Sequence, residues 1–123
     1  MKFIVFAFCA WLLSMPLAAE DVVYITTEQF RERVFDYKEM KPDGSAPDWN
    51  YRGDKPCIID FYTTWCGPCR KLAPIMEELS QTYCGEVVFY KADTEREREL
   101  AYVFGINSIP QVLYVPVEGK MMQ

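Results

Sequence analysis

The stretch TTWCGPCRKLAP, residues 63–74, contains two cysteines three positions apart, Cys66 and Cys69. It follows CIIDFY, residues 57–62, whose near-continuous apolar character is typical of a buried central strand. Apolar residues at helical spacing come after the cysteines, so the pair lies where a strand gives way to a helix. A cysteine pair in this position has three interpretations: a structural crosslink, half of a metal site, or a redox centre.

Strand and helix patterns alternate on both sides of the cysteine pair. Short β-branched and aromatic runs predict strands over residues 22–25, 86–93 and 111–117. Helical spacing of apolar residues predicts helices over residues 26–40, 66–83 and 94–105, the first opened by a capping box of Thr26 and Gln29. Residues 41–56 are rich in Pro, Gly and Asp and predict a long loop. This alternation indicates an α/β fold in which helices cover a sheet.

The second and third helices carry specific packing expectations. Pro74 inside the second is expected to kink it. In the third, the charge run after Thr94 predicts a solvated face. Four apolar residues of the second helix fall on one stripe: Leu72, Ile75, Met76 and Leu79.

Composition excludes several classes of function. The chain has 123 residues, a net charge of −5 and no histidine. An acidic chain is not expected to bind nucleic acid or an anionic membrane surface. The absence of histidine excludes Ser-His-Asp and Cys-His catalysis and any histidine-ligated metal.

The N-terminus has the pattern of a secretory signal peptide. Lys2 precedes the uncharged run FIVFAFCAWLLSMPLAA, which ends in small residues. We therefore expect residues 1–19, including Cys9, to be removed, leaving residues 20–123 as one exported domain in the periplasm or outside the cell. The alternative is an uncleaved membrane anchor, although the run is at the short limit for spanning a bilayer and Pro16 interrupts its end.

The metal and crosslink interpretations of Cys66 and Cys69 are the weaker ones. A structural zinc site needs four ligands, usually as two close pairs, whereas Cys57 and Cys84 are lone residues in the sequence. We therefore predict no metal. A bridge between Cys66 and Cys69 closes a very small loop, so it constrains the unfolded chain little and adds little stability.

The redox interpretation has direct physical support. Cys66 falls at the predicted start of a helix, where unpaired backbone N–H groups and the helix dipole favour a thiolate. Cys69 lies one turn further on, close enough to attack a mixed disulfide formed at Cys66. Pro68 fits the first helical turn and stiffens the ring.

Two segments resemble the thioredoxin family. DFYTTWCGPCRKLAP, residues 60–74, is similar to the active-site segment of thioredoxins, and FGINSIPQVLYV, residues 104–115, is similar to the segment that faces it. The resemblance extends over about residues 22–120. It implies a thioredoxin-like α/β fold, with a central mixed sheet flanked by helices. It also implies an exported, bacterial-type thioredoxin that acts as a thiol-disulfide oxidoreductase.

The resemblance implies a role for each matching residue. Cys66 corresponds to the attacking, more exposed thiol and Cys69 to the buried resolving thiol. Asp60 corresponds to a buried acid that accepts the proton of Cys69 through a water, and Lys91 to a lysine that approaches this acid. The residues expected to line the substrate site are Trp65, Gly67, Pro68, Ile109 and Pro110, the last after a cis peptide bond.

The implied reaction is reduction of disulfides in substrate proteins outside the cytosol. It needs no cofactor but requires an electron donor that re-reduces the pair, membrane-borne if the domain is exported. Three features depart from the family: the long loop over residues 41–56, the extra Cys57 and Cys84, and an end at Gln123 before the family's last strand and helix are complete. We therefore expect a truncated fold with a partly uncovered sheet face. The alternative function is a non-catalytic binding module or an inactive fragment.

Overall fold

The computed structural model describes residues 21–123. The predicted signal peptide, with Cys9, lies outside the described residues. Four strands and three helices follow one another in the order β1 (Val23–Tyr24), α1 (Thr27–Arg33), β2 (Cys57–Tyr62), α2 (Gly67–Thr82), β3 (Val88–Asp93), α3 (Arg98–Val103) and β4 (Gln111–Val115). The α/β prediction is confirmed.

The strands form one mixed sheet with the order β1-β3-β2-β4. β3 pairs in parallel with both β1 and β2, whereas β4 runs antiparallel to β2. The apolar strand predicted over residues 57–62 is β2, with the same bounds, and it lies between two neighbours. Its central position explains why five of its six residues are buried.

The first helix begins where the sequence predicts and ends earlier. The capping box is present, since the Thr26 hydroxyl accepts the Gln29 N–H and the Gln29 side chain accepts the Thr26 N–H. The helix was predicted to reach residue 40 but ends at Arg33. The carbonyl of Val34 instead accepts the backbone N–H of Arg52, 2.9 Å away. The long loop thus takes over the hydrogen bonding that would extend the helix.

The third helix also differs from its prediction, because it begins at Arg98 rather than near Thr94. One carboxylate oxygen of Asp93 accepts the backbone N–H groups of Glu95 and Arg96, at 2.9 and 3.4 Å. This arrangement holds residues 94–96 in a turn after β3, which delays the helix.

The main core lies between the sheet and the pair α1 and α3. It contains Phe30, Val34, Leu100 and Phe104 from or beside these helices, packed with alternate residues of β2 such as Ile59 and Phe61. α2 contacts β3, and the cysteines at its start pack with Tyr62, which projects from the opposite face of β2 to Ile59 and Phe61. We therefore have helices on both faces, as the prediction required.

The apolar stripe of α2 is only partly covered. Met76 is buried, but Ile75 and Leu79 are exposed, as is Tyr114 of β4. Helical spacing placed these residues on one side of the helix, but the fold covers only part of that side. α2 continues through Pro74 to Thr82. Tyr114 forms an antiparallel bridge with Met122, with N–H···O distances of 2.8 and 2.9 Å.

Candidate active site

Cys66 and Cys69 lie at the start of α2 and form a disulfide, with 5.2 Å between their Cα atoms. Cys66 is the N-cap residue, and its sulfur accepts the backbone N–H of Cys69 at 3.2 Å. Gly67 and Pro68 form the first helical turn and are exposed. The orientation of the N–H group toward Cys66 favours negative charge on that sulfur when the pair is reduced.

The two cysteines pack with Tyr62 at the end of β2 and with Ile109. Cys66 is 6% exposed and Cys69 3% exposed, so both sulfurs are largely covered in the disulfide form. The greater exposure expected of Cys66 is therefore a small difference here. The clearer asymmetry is positional, because Cys66 caps the helix and Cys69 lies within it.

Asp60 lies in β2 and is 1% exposed. Neither carboxylate oxygen has a hydrogen-bond partner among residues 21–123. Burial raises the pKa of the Asp60 carboxyl, and the positive charge of Lys91 partly opposes this effect. Asp60 and Lys91 are register partners on adjacent strands, so the structure brings together two residues that are far apart in sequence.

The segment before β4 supplies the facing wall. The peptide bond between Ile109 and Pro110 is cis, the geometry that the resemblance implies. A cavity of about 250 Å³ lies between this segment and the cysteine loop and is lined in part by Trp65 and Ile109. Trp65 lies at the edge of this cavity and is 62% exposed. The structure thus places Trp65 and Ile109 around one groove beside the cysteine pair.

Glu95 also lines this groove, although no sequence pattern pointed to it. The indole N–H of Trp65 donates to a carboxylate oxygen of Glu95 at 2.7 Å, which fixes one edge of the ring. The charge run containing Glu95 predicted only a solvated helical face. No local pattern could have identified this contact, because Trp65 and Glu95 meet only when β2 and β3 pair.

The remaining cysteines are not part of the pair. Cys57 is fully buried in β2, and burial raises its pKa to about 11. Cys84 lies after α2 and is partly exposed. Within residues 21–123, no group of three or more His, Cys, Asp or Glu residues is arranged to hold a metal ion. In the same range, no helix is both long and apolar enough to cross a bilayer.

Comparison with known proteins agrees with this geometry. The sequence model of the thioredoxin family matches residues 49–123. A thioredoxin from Borreliella burgdorferi is 46% identical over 98 residues, which are 80% of this chain and 79% of that protein. A chloroplastic M-type thioredoxin from Pisum sativum is 44% identical over 72 residues, or 58% of this chain and 42% of the pea protein.

Solved structures show the same fold. The thioredoxin of Malassezia sympodialis superimposes with a TM-score of 0.63 at 29% identity, over 85% of this chain and 76% of that chain. Chloroplastic thioredoxin z gives a TM-score of 0.65 at 24% identity, over 83% of this chain and 78% of that chain. The family model and the similar relatives agree with the fold and with the bonded cysteine pair at the start of α2. The chain therefore belongs to the thioredoxin family of thiol-disulfide oxidoreductases.

Proposed function

We propose that this protein reduces disulfides of substrate proteins outside the cytosol through Cys66 and Cys69. The observation that carries the proposal is the placement of the pair: Cys66 caps α2 and receives the N–H of Cys69, while Cys69 lies one turn inside the same helix. A thiolate is stabilised at the first position, and a second thiol stands within bonding distance of it.

The reaction proceeds by two exchanges. The Cys66 thiolate attacks one sulfur of the substrate disulfide; a bond forms to Cys66, the substrate S–S bond breaks, and one substrate thiolate leaves. The sulfur of Cys69 then attacks Cys66, and the second substrate thiolate leaves. Two electrons pass to the substrate, whose disulfide becomes two thiols, and the protein is left with the Cys66–Cys69 disulfide seen in the structure.

Asp60 is the proton acceptor for the second exchange in this proposal. A buried carboxyl with a raised pKa exchanges protons nearer neutral pH than an exposed one, as a general base must. Lys91, its register partner, supplies the opposing positive charge. The Asp60 carboxylate takes the proton of the Cys69 thiol through a water molecule that bridges the two groups.

The substrate rests on the surface around the pair. Exposed Gly67 and Pro68 allow a protein chain to approach Cys66, and the indole of Trp65 offers an apolar platform beside it. The segment of Ile109 and Pro110 forms the opposite wall, where the backbone of Ile109 can pair with an extended substrate strand. Such backbone recognition accepts many protein sequences, which suits a general disulfide reductase.

Thiol-dependent reduction of insulin tests the catalytic proposal. The full chain, supplied with dithiothreitol as electron donor, should accelerate insulin precipitation, and neither Cys66→Ser nor Cys69→Ser should do so. Cys84→Ser is the matched control, because it removes a thiol outside the pair. Activity that survives in Cys66→Ser would contradict the role of Cys66, and a full chain that does not accelerate the reaction would favour a non-catalytic docking module.

Export is supported by the charged start and apolar run of residues 1–19. The pair then needs an electron donor outside the cytosol, and we propose a membrane-borne one. Mass spectrometry of the protein from its own cells should find an N-terminus near residue 20 in a non-cytosolic fraction. An intact Met1 terminus in the soluble cytosol would refute the export proposal and leave the chemistry of the pair unaffected.

A further inference from the structure

Three side chains from three strands form a row across the sheet. Tyr24 of β1 is the register partner of Lys91 in β3, and Lys91 is the register partner of Asp60 in β2. Register partners on adjacent strands project from the same face of a sheet. The row Tyr24–Lys91–Asp60 therefore runs from the exposed sheet edge to the buried Asp60 carboxyl in the central strand.

The Lys91 ammonium is held between two phenol rings. Its nitrogen lies 4.3 Å from the ring centroid of Tyr62 and 5.7 Å from that of Tyr24. The two rings contact each other edge to face, with centroids 6.1 Å apart. A cation within about 6 Å of a ring centroid is attracted by the negative ring face, so both rings hold the charge.

The role inferred here for Tyr24 rests on the exchange reaction proposed above. We propose that Tyr24 is a positioning residue: with Tyr62, it holds the Lys91 ammonium in line with Asp60. Tyr24 is itself 66% exposed, so it contributes little to the core. Its position at the sheet edge is explained by the charge that it contacts.

Other charged side chains line the two cavities next to Lys91. One cavity, of about 340 Å³, is lined by Asp93, Arg96 and Glu97 together with both rings and Lys91. A second, of about 200 Å³, is lined by Cys69, Arg70 and Lys91. The Asp93 carboxylate accepts two backbone N–H groups and Glu97 accepts the Thr27 hydroxyl, so both acids already have donors. Without the ring of Tyr24, the Lys91 side chain is free to turn into solvent and away from Asp60.

The sign of the effect follows from this geometry. The charge of Lys91 lowers the pKa of Asp60, against the effect of burial. When the ammonium turns to solvent its charge is screened, and the pKa of Asp60 rises further. At pH values below the pKa of Asp60, a smaller fraction of its carboxyl is then ionised. The attack of Cys69 on the mixed disulfide therefore slows at these pH values, while the rate of this step at high pH stays the same.

Stopped-flow reaction of the reduced full chain with dithiobis(nitrobenzoate) separates the two exchanges. All variants carry Cys9→Ser and Cys84→Ser, and Cys57 is fully buried, so the coloured product comes from the pair. The first release is attack by Cys66. In the second, the Cys69 thiol gives its proton to Asp60, its sulfur bonds to Cys66, and the bond from Cys66 to thionitrobenzoate breaks, releasing the coloured thiolate.

For Tyr24→Leu we expect the second release to slow roughly two- to fivefold on the acidic side, the factor corresponding to a cation–π contact at an exposed site. The midpoint of its pH profile should move upward. Tyr24→Phe keeps the ring and should restore the original profile. The matched control is Tyr102→Leu, at a tyrosine that is 86% exposed on α3.

A double-mutant cycle shows whether Tyr24 acts through Lys91. Lys91→Gln should give the same upward movement, and adding Tyr24→Leu to it should change nothing further. The positioning role would be refuted if the two substitutions had additive effects on the rate of the second release. It would also be refuted if Tyr24→Leu lowered the plateau of the pH profile without moving its midpoint. Failure of the reference chain to show a second release would instead refute the exchange mechanism itself, and this inference with it.

Discussion

Replacement of Asp60 by asparagine tests the most costly feature of the site. Asp60 is almost fully buried in the central strand, and its carboxylate has no hydrogen-bond partner among residues 21–123. Asn has nearly the same shape but cannot ionise. Asp60→Asn therefore keeps the packing and the unpaired polar atoms, and it removes only the burial of a charge.

The stability gained should depend on pH. Because the pKa of Asp60 is raised in the folded protein, the folded state retains a proton that an unfolded aspartate has already released. The contribution of Asp60 to stability is thus full below the unfolded pKa and is lost as pH rises through the folded pKa. An unpaired buried polar group costs about 1–3 kcal/mol, and a charged one costs more. We therefore expect Asp60→Asn to raise the free energy of unfolding by about 2 kcal/mol at about pH 8.

Urea unfolding of the oxidised full chain measures this difference. With a slope of about 2 kcal/mol per molar urea, the midpoint should rise by about 1 M at about pH 8. As the pH is lowered toward 4 the two midpoints should converge, because protonation of Asp60 removes the buried charge. Asp54→Asn, at an exposed aspartate, is the control and should change stability by less than about 0.5 kcal/mol. An equal gain at both pH values would refute the reasoning, because packing rather than charge would then explain it.

Three further outcomes are expected. Thr26→Ala removes the hydroxyl of the capping box and should cost about 1 kcal/mol in urea unfolding; no loss would contradict the cap. Iodoacetamide should modify Cys66 of the reduced chain before Cys69, as peptide mapping will show, and the reverse order would overturn the assigned roles. Leu113→Ala should cost about 2–5 kcal/mol because Leu113 is fully buried, whereas Tyr114→Ala at the exposed neighbour should cost far less.

Several features of this protein are determined by short stretches of sequence. β2 was predicted with its observed bounds because a run of six mostly apolar residues between polar segments has few alternatives to a buried strand. The capping box at Thr26 and Gln29 joins residues three apart. The start of a helix at the cysteine pair was predicted for the same reason: strand end, cap and first turn lie within a few consecutive residues.

Other features depend on tertiary structure alone. α1 ends at Arg33 because a loop residue, Arg52, takes the carbonyl of Val34, and nothing near Arg33 in the sequence indicates this. The partial exposure of the α2 stripe depends on what lies over it, which helical periodicity does not describe.

The row Tyr24–Lys91–Asp60 is the clearest case. Family resemblance pointed to Asp60 and Lys91, but nothing in the sequence pointed to Tyr24, and two strand pairings bring together residues more than thirty positions apart. Local patterns fix hydrogen bonds and apolar spacing over a few residues, whereas strand order and register decide which distant charges face one another. The cysteine pair could therefore be predicted from the sequence, and Asp60 and Lys91 from the family resemblance, but the position of Tyr24 beside them could be seen only in the folded sheet.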